Sequence, residues 1–91
     1  MAIRNQPEKE PLEPIRVDVD ARAIGRRIRQ IRGFDLTQQE FCRALGISRA
    51  QLSKYELGQS IPTAEVLLKL KAFSGRSIDW ILTGEEIAQK S

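Results

Sequence analysis

Two helix-start signals, at Thr37 and at Ser48, stand close together in this chain with one glycine, Gly46, between them. At the first, Thr37 is placed to cap a helix. Glu40, three residues on, can reach back to the cap's own N–H, a reciprocal capping box. Leu36 before the cap and Phe41 at the fourth helical position supply the two halves of a hydrophobic staple. The second signal repeats the pattern with Ser48 as cap, Gln51 completing the box, and Ile47 stapled to Leu52. The first helix ends at Leu45–Gly46, where glycine takes up the positive φ of a C-terminal cap without a steric penalty. A Gly-Ile-Ser connection is too short to fold one helix back along the other as in a long bundle. It sends the second helix off at a steep angle, which predicts a helix-turn-helix over residues 38–57.

The same punctuation marks three more helices. Asp20 caps a helix running to about Arg32, with Ala21, Ile24, Ile28 and Ile31 on one apolar stripe, arginines around it, and Gly33 as its stop. Pro62 and Thr63 announce a fourth helix carrying Val66, Leu67, Leu70 and Phe73 and closing at Ser74–Gly75. Ser77 caps a short fifth helix, Asp79 complements its dipole, and Ile78, Trp80, Ile81 and Leu82 precede Gly84. The expected fold is therefore all-α, with five helices in residues 20–85. Residues 1–19 are rich in Pro and Glu and poor in apolar groups, which predicts a disordered, flexible N-terminal arm. Ile15, Val17 and Val19 alternate with charges there and at most form a short extended stretch. Residues 86–91 form a C-terminal tail.

Charge is distributed unevenly. Residues 1–20 hold three basic and five acidic groups, residues 21–60 eight basic and three acidic, and residues 61–91 four of each. The positive field thus falls on the segment holding the helix-turn-helix, as a polyanionic partner requires. With no histidine, no glycine-rich phosphate loop and no paired carboxylates, the chain lacks the repertoire of an enzyme. Cys42 is the single cysteine, so an intrachain disulfide is impossible and a zinc site has too few soft ligands. No apolar run is long enough for a transmembrane helix, and the N-terminus lacks a signal peptide's apolar stretch, so a soluble cytoplasmic protein is expected. Nothing points to a metal, a cofactor, a membrane or a small-molecule ligand.

The run LTQQEFCRALGISRAQLSKYELGQSIPTAEVLLKLKAFSGRSIDWILTGE resembles the lambda-repressor/Cro (Xre-like) family of DNA-binding domains. The likeness extends over residues 24–85, and the ending SIDWILTGE is particularly similar to phage-repressor N-terminal domains. It implies a compact five-helix, lambda-repressor-like domain acting as a sequence-specific double-stranded DNA-binding transcriptional regulator. A repressor is expected, since such a domain can act simply by occupying its operator. Close helix crossing calls for a small residue at Cys42, where the family usually has alanine. The connector Gly33-Phe34-Asp35 is about one residue shorter than in many relatives.

The resemblance also implies roles for particular residues. The N-terminal half of the second motif helix enters the major groove, while the first motif helix lies across the backbone. Leu52 and Tyr55 point inward, leaving Arg49, Ala50, Ser53 and Lys54 outward with Gln51 to one side, and these five are the expected base contacts. Arg49 is suited to guanine O6 and N7, and Ala50 to a thymine methyl. Thr37 and Gln38, at a helix N-terminus, with Arg43, Gln59 and Ser60, are the expected phosphate contacts. Arg32 is expected to pair with Glu56 as a structural ion pair. The fifth helix holds four large apolar residues in five positions, more than one side of a short helix buries. This predicts a homodimer through Trp80, Ile81 and the flanking Ile87, bound to a pseudo-palindromic operator.

Overall fold

The computed structural model describes residues 12–85. Among these, five helices and no strand are present: α1 (Ala21–Arg32), α2 (Gln38–Leu45), α3 (Arg49–Glu56), α4 (Ala64–Ser74) and α5 (Ile78–Thr83). Residues 12–20 are exposed and carry no regular secondary structure, so Ile15, Val17 and Val19 do not pair as a strand.

Each helix begins on a side-chain oxygen that accepts a bond from a backbone N–H in its first turn: Asp20, Thr37, Ser48, Thr63 and Ser77. These bonds satisfy donors that no intrahelical carbonyl reaches. At Thr37 the box is complete, with Oγ1 accepting from the Glu40 N–H at 3.1 Å and the Thr37 N–H donating to Glu40 Oε1 at 2.9 Å. At Ser48 only half of the expected box forms. Ser48 Oγ accepts from the Gln51 N–H at 3.0 Å, but the Gln51 amide turns away and donates to Ser60 Oγ at 3.3 Å. A hydroxyl across the α3–α4 loop wins over the cap's backbone N–H, so Gln51 ties the far end of α3 to the loop.

The core draws on every helix. Ile24 and Ile28 from α1, Phe41 and Leu45 from α2, Leu52 from α3, Leu70 from α4 and Ile81 from α5 are almost wholly shielded from water. Each such side chain contributes roughly 1.5–3 kcal/mol of burial. Phe73, half exposed at the end of α4, meets Phe41 edge-on with ring centroids 5.5 Å apart. Helix α1 packs on α3, α4 and α5, while α2 rests on α3 and α4.

Helices α1 and α3 approach each other closely at Gly25. A Cβ there would lie 2.4 Å from the Tyr55 carbonyl oxygen and 2.7 Å from that of Glu56. Only a residue without a side chain lets the C-terminal turn of α3 sit this near α1. The apolar stripe predicted for α1 accordingly shifts: Ala23, Ile24, Gly25 and Ile28 are buried, while Ala21 and Ile31 are only partly covered.

Helix α5 carries Trp80 and Ile81, two of the residues expected at a pairing surface. Ile81 is fully buried and Trp80 is 8% exposed within a single chain, so the density of apolar residues there serves the protomer's own core. The Arg76 guanidinium lies 3.9 Å from the Trp80 ring centroid, covering the indole with a cation–π contact. Arg27 Nη1 donates to the Ile81 carbonyl at 3.0 Å and ties α5 back to α1. A short helix buries more than one side when α1 and α4 both pack on it. Ile87 lies outside the described residues.

Candidate nucleic-acid interface

The geometry of the α2–turn–α3 unit follows from its smallest residues. Gly46 adopts φ 69° and ψ 35°, the left-handed conformation that reverses the chain after α2. The next N–H, of Ile47, donates to the Cys42 carbonyl at 3.1 Å. The Leu45 carbonyl accepts from Lys69 Nζ at 3.3 Å, so α4 helps hold the turn. Cys42 is 5% exposed where the helices cross, and burial pushes its thiol pKa up. A protonated, enclosed thiol is a packing group, not a nucleophile.

With Leu52 and Tyr55 anchored in the core, α3 turns Arg49, Ala50 and Lys54 fully outward. Ser53 and Gln51 are only half-exposed, and Gln51 is committed to Ser60. The five residues expected to read bases therefore divide into three on an open face and two at its edge. Of those expected to meet phosphate, Arg43 and Gln59 are exposed and Ser60 is half-buried. Thr37 uses its N–H and one Oγ1 lone pair within the capping box, which leaves its hydroxyl proton to donate.

Gln38 links the expected Arg32–Glu56 pair to Arg49, a connection that sequence reasoning did not reveal. Arg32 Nε donates to Glu56 Oε2 at 3.0 Å and Arg32 Nη2 to Glu56 Oε1 at 3.3 Å, a two-pronged ion pair with the Glu56 side chain only 6% exposed. Gln38 Nε2 donates to the same Glu56 Oε1 at 3.2 Å, and Arg49 Nη2 approaches Gln38 Oε1 at 3.5 Å. The pair expected to be structural thus reaches the surface through Gln38 and touches the arginine expected to read bases. One amide N–H of Gln38 remains for another acceptor. No sequence spacing signals this connection, because its members come from three helices. Beside it opens a cleft of about 240 Å³ lined by Arg29, Arg32, Gln38, Ser53, Glu56 and Leu57.

A family model described as "Helix-turn-helix" matches residues 26–81. The chain belongs to this helix-turn-helix family. Among curated proteins it is 37% identical over 62 residues to the HTH-type transcriptional activator BcrR of Enterococcus faecalis, covering 67% of this chain and 30% of that one. It is 40% identical over 67 residues to the HTH-type transcriptional regulator DicA of Escherichia coli, covering 72% of this chain and 50% of that one. The chain thus spans half or less of these relatives. Among solved structures it resembles the P22 c2 repressor crystallised with a synthetic operator, with TM-score 0.63 and 30% identity over 68% of this chain and 96% of that one. The matches place this five-helix domain in the helix-turn-helix family of the lambda-repressor (Xre-like) group, with a fold similar to that of the P22 c2 repressor. Among the described residues, no helix is long and apolar enough to cross a membrane.

Proposed function

We propose that this helix-turn-helix chain is a sequence-specific transcriptional regulator that places α3 in the major groove of duplex DNA and represses by occupying its operator. The observation that carries the reading is the open face of α3, where Arg49, Ala50 and Lys54 project together from a helix whose other side is locked in the core. Arg49 supplies a fork of donors matched to guanine O6 and N7, Ala50 a methyl surface for thymine, and Lys54 a cation for guanine or phosphate. Gln51 and Ser53 flank this face and take the outer bases. Backbone N–H groups at the start of α2, the second amide N–H of Gln38, and Thr37, Arg43, Gln59 and Ser60 meet the phosphates.

Repression by occupancy is favoured over activation by the likeness to the P22 c2 repressor, although a named relative is an activator. Two chains are proposed to occupy a pseudo-palindromic operator, with half-sites about one helical turn (roughly 34–36 Å) apart. Because Ile81 is buried, the apolar surface for pairing comes from the partly exposed Ile78 and Leu82 and from the segment carrying Ile87. The site of action is the cytoplasm, with DNA as the partner.

The deciding experiment selects bound sites from random duplex DNA while the oligomeric state is measured in parallel. Recovery of a two-fold symmetric site is the expected result, with affinity falling steeply as salt rises. Failure to enrich any sequence, together with a flat salt response, would point to a protein-interaction role for the same fold.

A further inference from the structure

One cleft lies not on the helix-turn-helix face but at the C-terminal end of α1. It measures about 460 Å³ and is lined by Arg26, Arg29, Gln30, Arg32, Gly33 and Phe34. Arg26 and Arg29 are both exposed and one helical turn apart, so they project side by side. Among the described residues neither has an ion-pair or hydrogen-bond partner, whereas Arg32 beside them is neutralised by Glu56. Phe34 stands fully exposed at the rim.

A row of arginines on a helix is often no more than a solvated face. Continuity decides otherwise here. Arg29 and Arg32 line both this cleft and the smaller one that contains Gln38 and Ser53, at the edge of the α2–α3 surface. The two clefts thus adjoin at Arg29 and Arg32, which sets Arg26 and Arg29 next to the edge of the reading face. The uncompensated charge there is positive, and the loop after α3, with Gln59 and Ser60, offers no cation of its own.

We propose that Arg29 and Arg26 form a second phosphate-binding site that carries the operator's backbone beyond the helix-turn-helix. The occupant is the sugar–phosphate strand flanking the bases read by α3, with guanidinium forks on its phosphate oxygens and the Phe34 ring against a deoxyribose. The proposal rests on the DNA-binding reading above and adds residues that contact no base. Arg29 and Arg26 accordingly set affinity and its salt dependence but not sequence preference.

The test measures binding of the full chain to its selected site and to an unrelated duplex across a salt series. Arg29→Ala and Arg26→Ala are each expected to make the log–log salt slope shallower by about 0.9 per bound chain. Between about 50 and 200 mM salt, that is a salt sensitivity smaller by about 3.5-fold for each arginine removed. The loss should be equal on both duplexes, with helical content and melting temperature unchanged, and Arg29→Lys should restore the slope. Unchanged slopes in both alanine variants, with a steep wild-type slope, would overturn the proposal and leave the cleft to an acidic protein segment. A loss confined to the selected site would overturn it equally, by making these arginines base readers. A flat wild-type response would remove the DNA reading itself, and this site with it.

Discussion

At the scale of single residues, Arg49 and Cys42 show how position in the fold sets chemical behaviour. Arg49 is exposed at the start of α3, and its guanidinium approaches Gln38, which Glu56 also holds. Arg49→Ala is expected to cost about 1–3 kcal/mol at the selected site and to relax the preference at one base pair. Competition binding against single-base operator variants checks this, and equal weakening on all sequences would make Arg49 a phosphate contact. Cys42 is the opposite case, a polarisable group closed into the helix crossing. Burial raises its pKa, so above about pH 8.5 the unfolded chain releases a thiol proton that the folded chain keeps. Stability from this group is therefore complete below that pH and falls as pH rises through the raised folded value. Urea unfolding at about pH 7 and about pH 10 should show a larger alkaline loss for wild type than for Cys42→Ala.

At the scale of helices, caps and close approaches differ in how visible they are in a sequence. Five N-caps were legible because each depends on residues within one turn of each other. The Gln51 half of the second box was not, because Ser60, which takes that amide instead, is a partner from the loop beyond α3. Gly25 was equally hidden: an isolated glycine inside a helical pattern signals a packing constraint but does not name the neighbour. The neighbour is the carbonyl edge of α3. Gly25→Ala gains up to about 1 kcal/mol of intrinsic helix propensity, and the clash is expected to outweigh it. A net destabilisation of about 1–3 kcal/mol, read by thermal or denaturant unfolding, is the expected outcome. It should also weaken DNA binding, because α3 must move away from α1.

At the scale of the whole molecule, α5 has the most to say about assembly. Had Ile81 lain on a dimer surface, its truncation would split dimers and spare the fold. Buried as it is, Ile81→Ala is expected to cost about 2–5 kcal/mol of unfolding free energy at any protein concentration. Chemical denaturation at two concentrations separates the outcomes, since loss confined to dilute samples would signal an interface. The two adjoining clefts that share Arg29 and Arg32 belong to this scale as well. Their lining draws on α1, α2 and α3 and includes Arg26 and Arg29 from the basic segment of the chain.

The helix-turn-helix of residues 38–57 was written locally. Caps, staples and glycine stops act over three or four residues, so the helices and the turn at Gly46 could be read without knowing what they pack on. The outward face of α3 followed from Leu52 and Tyr55 alone, since helical period places the remaining side chains once two are inward. Contacts between distant elements had no such local signature. The chain Arg32–Glu56–Gln38–Arg49, the burial of Ile81 and the approach at Gly25 depend on helix crossings. A crossing is set by the packing of the whole core, not by any one helix. That packing turns a correctly placed motif into a surface on which one glutamine is shared between an ion pair and the arginine proposed to read the operator.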